Sequence, residues 1–355
     1  LYPKKEEKMK TQNNRIDWIS KAKGFAILGV VAVHTGQRFT ISYVSGIASA
    51  GQYCVQLFFI ISAFLAFKSL DKNEIKNSKM YFKYFAHKLT RLMPMLYTAC
   101  LWHLIVYCIE IQGIPNVQDS IWRNGFFAVT FLNGFSYHHI NPWYNWYIGD
   151  LVIFLALAPF IKKSIDTTKK SVLLFLISIL IGTTSNIILN KCGIDTGWYF
   201  YFWFPRQFPS LALGIFFYRF QKEENYQNKL NSLLTLAFIV SFGFLLSKCW
   251  KDILGNHIQY GILLLIFSYT LFNRNTKVFN WLRVLGDNSY GIYLFHGCLL
   301  PIIGNLVTKM NFSKSSYSFI LCYLTVILLG LCCSIIVKKL LEQPFINLLK
   351  VKFAI

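Results

Sequence analysis

Two histidines stand inside long apolar runs of this chain, His34 in GFAILGVVAVHTG and His296 in SYGIYLFHGCLLP. An imidazole in such surroundings is either a core residue satisfied by a hydrogen bond or a group that marks a functional path. His34 follows Lys23 by eleven residues, which is three helical turns plus about 20°, so the two share one stripe of a helix. The rise between them is roughly 16 Å, about half of a hydrocarbon core. A second group is basic. Lys88 and Arg91 in YFKYFAHKLTRLMPML are spaced i, i+3 just ahead of Pro94 and lie on one helix face. They read as interfacial anchors with snorkelling stems, or as a cradle for an anionic cytosolic ligand such as the phosphates of a nucleotide-like cofactor.

Three further residues stand out. Arg206 lies in the proline-bracketed run FWFPRQFPSLALG, where a charge needs a partner, a polar cavity or an interface to reach. Asp150 closes NPWYNWYIGD, beside Trp143, Tyr144, Trp146 and Tyr147. Those rings read first as an interfacial belt and second as faces on which a sugar can stack. Glu342, in KKLLEQPF, ends the last apolar run among lysines, where an exposed ion pair contributes little.

The elements that must position these residues follow from composition. The 355 residues are 55% hydrophobic and 17% aromatic, with 14% charged, against about 25% charged in soluble proteins. Mean hydropathy is +0.43. Apolar runs of span length fall at 24–42, 51–67, 90–111, 144–161, 171–189, 199–218, 230–247, 257–272, 289–308 and 317–337. The chain therefore reads as an all-α polytopic membrane protein of about ten transmembrane helices, folded as a single domain over 1–355.

The segment 121–137, broken by Gly125, Asn133 and Gly134, is too short for a comfortable span. If it is re-entrant, the cytoplasmic stretches hold 28 of the 36 Lys and Arg; if it crosses, only 19. The positive-inside rule selects the first, with both termini cytoplasmic and residues 1–23 a basic cytoplasmic segment. The start, LYPKKEEKMKTQNNR, does not read as a cleavable leader, so the first span serves as the anchor. The net charge of +21 would suggest nucleic acid in a soluble protein; here it reflects sidedness, and the expected partner is the bilayer. The nine cysteines lie mostly within apolar runs without metal-ligand spacing, so no metal is expected. They read as small core hydrophobes in preference to a Cys192–Cys249 bridge between outer loops.

In order, the segments IDWISKAKGFAILGVVAVH, LFFIISAFL, the basic stretch leading into RLMP, WYIGDL, LGDNSYGIYLFH and the closing Glu342-x-Pro344 resemble the integral-membrane acyltransferase 3 family. That resemblance implies transfer of an acyl group, most often acetyl, from cytoplasmic acyl-CoA to a hydroxyl of an envelope or secreted glycan. It implies that His34 is catalytic, as general base toward the acceptor hydroxyl or as an acyl relay, with Glu342 as its carboxylate partner. It places Lys23, Lys88 and Arg91 at the acyl-CoA site. Trp146, Asp150, Arg206 and His296 become candidates for binding a glycan or lipid-linked sugar acceptor, in a bacterial inner membrane. Two departures go with it: Lys88 stands for the first arginine of the family's basic pair, and Ala63 for the glycine usual after Ser62. The competing reading is a transporter or flippase for a polar or anionic solute. That reading predicts internal repeats and paired broken helices, which the sequence lacks.

Overall fold

A computed structural model describes residues 17–39, 50–116, 120–132, 146–191, 203–222, 253–272, 277–309 and 316–353, and no strand occurs among them. The helices are α1 (Asp17–Arg38), α2 (Cys54–Lys72), α3 (Ser78–Glu110), α4 (Ser120–Val129), α5 (Trp146–Ser164) and α6 (Thr168–Lys191). They continue with α7 (Trp203–Lys222), α8 (Ile253–Phe272), α9 (Asn280–Asp287), α10 (Ser289–Lys309), α11 (Ser316–Val337) and α12 (Gln343–Phe353). Among the described residues, five stretches are long and apolar enough to cross a membrane: Gly51–Lys72, Ser78–Glu110, Thr168–Ser185, Ser289–Lys309 and Tyr317–Leu348. The span expected at 230–247 and the cysteine pair 192 and 249 lie outside the described residues.

Several boundaries move from their expected places for local reasons. The third helix starts twelve residues before the apolar run, because Asn77 caps it by accepting from the Met80 amide at 2.9 Å and so satisfies one of the orphan N–H groups. Its 33 residues make about 50 Å of helix, longer than the bilayer core. Lys79, Lys83 and Lys88 therefore lie on turns that extend ahead of the apolar run, and Arg91 on its first turn. The broken segment yields a ten-residue helix, α4, about 15 Å long. Its exit is a turn with Phe131 at φ 60°, and it packs along α3, where Tyr97 donates to the Val129 carbonyl at 3.1 Å. The last helix does not stop at 337: it widens into a π-turn over Lys338–Glu342 and runs on into α12.

Close packing fixes the bundle. Without a hydrophobic drive between helices in lipid, small residues and interhelical hydrogen bonds hold them together. α1 and α2 run antiparallel. At one end Gly29 faces Gly51 and Cys54 so closely that a side chain on either glycine would collide with the other segment. At the other end Trp18 meets Phe64, Phe217 and Tyr269 edge-on, with centroids 6.0, 5.9 and 5.4 Å away. Each such pair adds about 0.5–1.5 kcal/mol beyond burial and ties α1 to α2, α7 and α8. The α2–α7 contact is polar at one level: Gln56 donates to Gln207 at 2.9 Å and accepts from Ser210 at 2.6 Å. A turn further on, the fully buried Ala63 methyl lies over Gly214. The missing Cβ at Gly214 thus makes room for the methyl that Ala63 brings.

Candidate active site

The two segments that carry His34 and His296 are one structural unit. A Cβ on Gly24 would lie 2.0 Å from the Leu282 carbonyl oxygen, and one on Gly286 would lie 1.7 Å from that of Ser20. α1 and α9 therefore touch backbone to backbone. Ser20 Oγ donates to Asp287 Oδ1 at 2.8 Å across this contact. Asn288 Nδ2 donates to the Val284 carbonyl at 2.8 Å and holds the short turn into α10. From α11, Ser334 Oγ reaches the Asn288 carbonyl at 3.2 Å and Lys338 Nζ the Asp287 carbonyl at 3.1 Å. The run LGDNS thus works as a clasp that sets the height of α10 against α1.

Up the two helices from this clasp the histidines meet. The rings of His34 and His296 are 5.1 Å apart between centroids and inclined by 34°. His34 Nδ1 lies 3.2 Å from Gln37 Oε1, three residues on. With that amide oxygen as acceptor the proton sits on Nδ1, and Nε2 carries the lone pair that a general base needs. His296 is fully buried, and its Nδ1 donates to the Tyr293 carbonyl, which leaves Nε2 as its acceptor nitrogen. A third imidazole belongs to the group. His103 of α3 is buried, hydrogen-bonds to the Leu294 backbone and lies within electrostatic reach of His296.

The cluster continues into α5. The Tyr293 ring lies 5.7 Å from His296 and 5.7 Å from Tyr147. Tyr147 OH shares a 2.8 Å hydrogen bond with Ser62 Oγ of α2. Trp146 is half-buried against Phe59, at 6.0 Å. Asp150 is 1% exposed and electrostatically coupled to Tyr293. Neither of its carboxylate oxygens has a hydrogen-bond partner among the described residues. Arg206 is buried on α7, next in sequence to the Gln207–Gln56–Ser210 network. Trp143 and Tyr144 lie outside the described residues.

The basic residues gather at the other end of α1. Lys88 Nζ donates to Ser69 Oγ at 3.3 Å and lies 5.3 Å over the Tyr84 ring. Arg91 is exposed, and Glu342 lies within electrostatic reach of both Arg91 and Lys338. Lys23 is half-buried one turn from the Ser20–Asp287 contact. Lys21 is completely buried and pairs with Asp17 at 2.6 Å. Asp71, at the end of α2, is gripped by Lys162 of α5 and by Lys222 and Tyr218 of α7. On either side of it open a cleft of about 950 Å³ containing Lys76, Lys162 and Lys163, and one of about 380 Å³ containing Lys68, Lys72 and Lys222.

The structure thus joins His34 to His296, Lys88 to Ser69 of α2, and Arg91 electrostatically to Glu342 of the π-turn. It does not bring Glu342 to His34: Lys338 is level with Asp287 and Ser20, and Ser20 is about 21 Å of helix from His34. The residue against His34 Nδ1 is Gln37. Sequence reading passed over Gln37, although an i, i+3 amide beside an intramembrane histidine was available as a signal. His103, in LWHLIVYCI, meets the same test as the other two histidines and was legible on the same ground.

Comparison with known proteins supplies the family. Residues 16–339 match the family described as "Acyltransferase domain", Acyl_transf_3. A protein of Acidianus two-tailed virus named "Putative acetyltransferase ORF330" is 25% identical over 303 residues, covering 82% of this chain and 86% of that protein. No solved structure matches the chain. The match begins one residue before α1 and ends inside the π-turn, so it takes in the clasp, the histidines and the basic end together: the chain belongs to the acyltransferase 3 family.

Proposed function

We propose that the protein transfers an acyl group, most simply acetyl, from cytoplasmic acyl-CoA to a hydroxyl of an envelope or secreted glycan, with His34 as the base. The observation that carries this reading is the contact of His34 with His296 and Gln37 inside an acyltransferase bundle. A sugar hydroxyl is a weak nucleophile at neutral pH. As it attacks the thioester carbonyl, its proton moves to His34 Nε2, the new O–C bond forms and the C–S bond breaks. The same proton then passes to the leaving thiolate, so the imidazole returns to its starting form. General acid–base help of this kind contributes about 10²–10⁴-fold.

In this proposal the protein is embedded as ten spans with both termini on the cytoplasmic side. Lys88 and Arg91 hold the donor's phosphates at the cytoplasmic end, with Lys23 near the mouth. Glu342 orders Arg91 and Lys338 there and does not act on His34. Arg91 keeps a bidentate fork for phosphate, while Lys88 supplies a point charge. The acceptor occupies the region of Trp146, Asp150 and Arg206. In support, an unpartnered buried carboxylate costs free energy that a donated sugar hydroxyl would offset, and flanking aromatic rings suit the apolar face of a sugar.

The test is acetyl transfer from labelled acetyl-CoA in membranes, with mass spectrometry of surface glycans from cells with and without the protein. His34→Ala at equal expression abolishes incorporation. Retained incorporation would remove His34 from the chemistry, and loss of solute export without any change in glycan acylation would move the protein to transport.

A further inference from the structure

His296 is buried on every side, yet its polar atoms are placed for more than filling space. A core imidazole needs one hydrogen bond to be tolerated, and Nδ1 has it in the Tyr293 carbonyl. The ring also belongs to a cluster with His34 of α1 and His103 of α3. The clasp below fixes the heights of α1 and α10 through backbone contacts at Gly24 and Gly286 and the Ser20–Asp287 bond, so this spacing is built into the fold and does not depend on side-chain chance. At 5.1 Å between centroids, the two imidazoles are close enough for ring nitrogens turned toward each other to come within hydrogen-bond reach, about 2.7–3.2 Å.

We propose that His296 is a positioning residue for acyl transfer, whose Nε2 accepts a hydrogen bond from His34 once that ring has taken the acceptor's proton. This rests on the assignment of His34 as base. The balance is that of the parent reaction. The hydroxyl proton moves to His34 Nε2, and a small turn of the ring then brings the resulting N–H onto the lone pair of His296 Nε2. As the C–S bond breaks, the proton leaves for the thiolate sulfur. His296 gains and loses no proton over the cycle; it holds the imidazolium in place for the interval between the two transfers. Gln37 Oε1, 3.2 Å from His34 Nδ1, faces the other nitrogen of the base. Acceptors fixed in this way stabilise the charge that develops on the base without reorganising during the reaction.

Three substitutions separate this role from simpler ones. His296→Gln places an amide near the position of Nε2, His296→Asn near that of Nδ1, and His296→Phe keeps the ring without either nitrogen. The readouts are kcat and donor KM for labelled acetyl-CoA in purified protein, with thermal unfolding as the check on folding. The expected order of kcat is wild type, then Gln, then Asn and Phe. Asn and Phe lose about 10²-fold or more, and KM for acetyl-CoA stays within about twofold in every variant that folds. Best retention by Asn would assign His296 to the Tyr293 hydrogen bond alone, and best retention by Phe would assign it to packing; either overturns the proposal. If Phe fails to fold, the Gln-to-Asn order still decides. His34→Ala runs alongside: activity there removes the base itself, whereas an inactive His34→Ala with a fully active His296→Phe removes only the inference about His296.

Discussion

Gly286→Ala tests whether the clasp, and not the apolar spans alone, sets the active-site geometry. The added methyl carbon would lie 1.7 Å from the Ser20 carbonyl oxygen, 2.7 Å from its carbon and 2.9 Å from the Gly24 nitrogen. All three are backbone atoms of α1 and cannot rotate aside. A tolerable contact requires α9 to retreat by more than 1 Å, which stretches the 2.8 Å bond between Ser20 and Asp287 past useful length. Overpacking costs about 1–3 kcal/mol and the lost hydrogen bond about 1 kcal/mol, so the expected destabilisation is about 2–4 kcal/mol. The catalytic effect should be larger, because a shift of about 1 Å in a reacting group can cost about 10²-fold, and α10 carries His296 away from His34 with the same motion. Unfolding can be followed in detergent by the reaction of a thiol-sensitive dye with the buried Cys54, Cys100, Cys298 and Cys322, and transfer by label from acetyl-CoA. The matched control is Gly125→Ala in α4, where a Cβ meets nothing within 4 Å and alanine should hold or slightly raise stability. A Gly286→Ala protein with wild-type melting temperature and wild-type rate would refute the idea that this backbone contact sets the histidine pair.

Other outcomes follow from the same structure. Arg91→Ala should raise the donor KM about tenfold, equal to about 1.4 kcal/mol, with the melting temperature unchanged because the side chain is exposed; steady-state kinetics against acetyl-CoA reads this directly. Asp150→Leu should lower transfer while melting temperature holds or rises, since it removes an unpartnered buried carboxylate; paired melting and activity measurements check the opposed signs. Asp71→Asn should lower stability by about 1–3 kcal/mol, because Lys162 and Lys222 lose the charge that joins α2 to α5 and α7; detergent-titrated unfolding with and without added salt measures it.

The helical class and the positions of most helices were legible without coordinates, because the transfer free energy of each side chain is a local property that adds along the chain. Helix ends were less so. The start of α3 at Ser78 depends on one cap from Asn77, and the continuation past Val337 depends on a π-turn; neither leaves a trace in average hydropathy. The candidate residues were legible by the same additive logic, since an ionisable group inside an apolar run costs enough to call for a reason. Their partners were not. His34 and His296 are 262 positions apart, and what joins them is steric: two glycines that let α9 lie on α1, and a turn that aims α10 upward.

The amino-acid sequence by itself determined that the protein is helical and apolar, where charge interrupts its apolar runs, and that His34 shares one helical stripe with Lys23. Only the tertiary structure decided that Gln37 and His296 lie against His34, that His103 joins them, and that Glu342 stands at the basic end within electrostatic reach of Arg91. The reason is that burial is read one residue at a time, whereas a hydrogen bond needs two groups at one place, and that coincidence exists only once the backbones have packed.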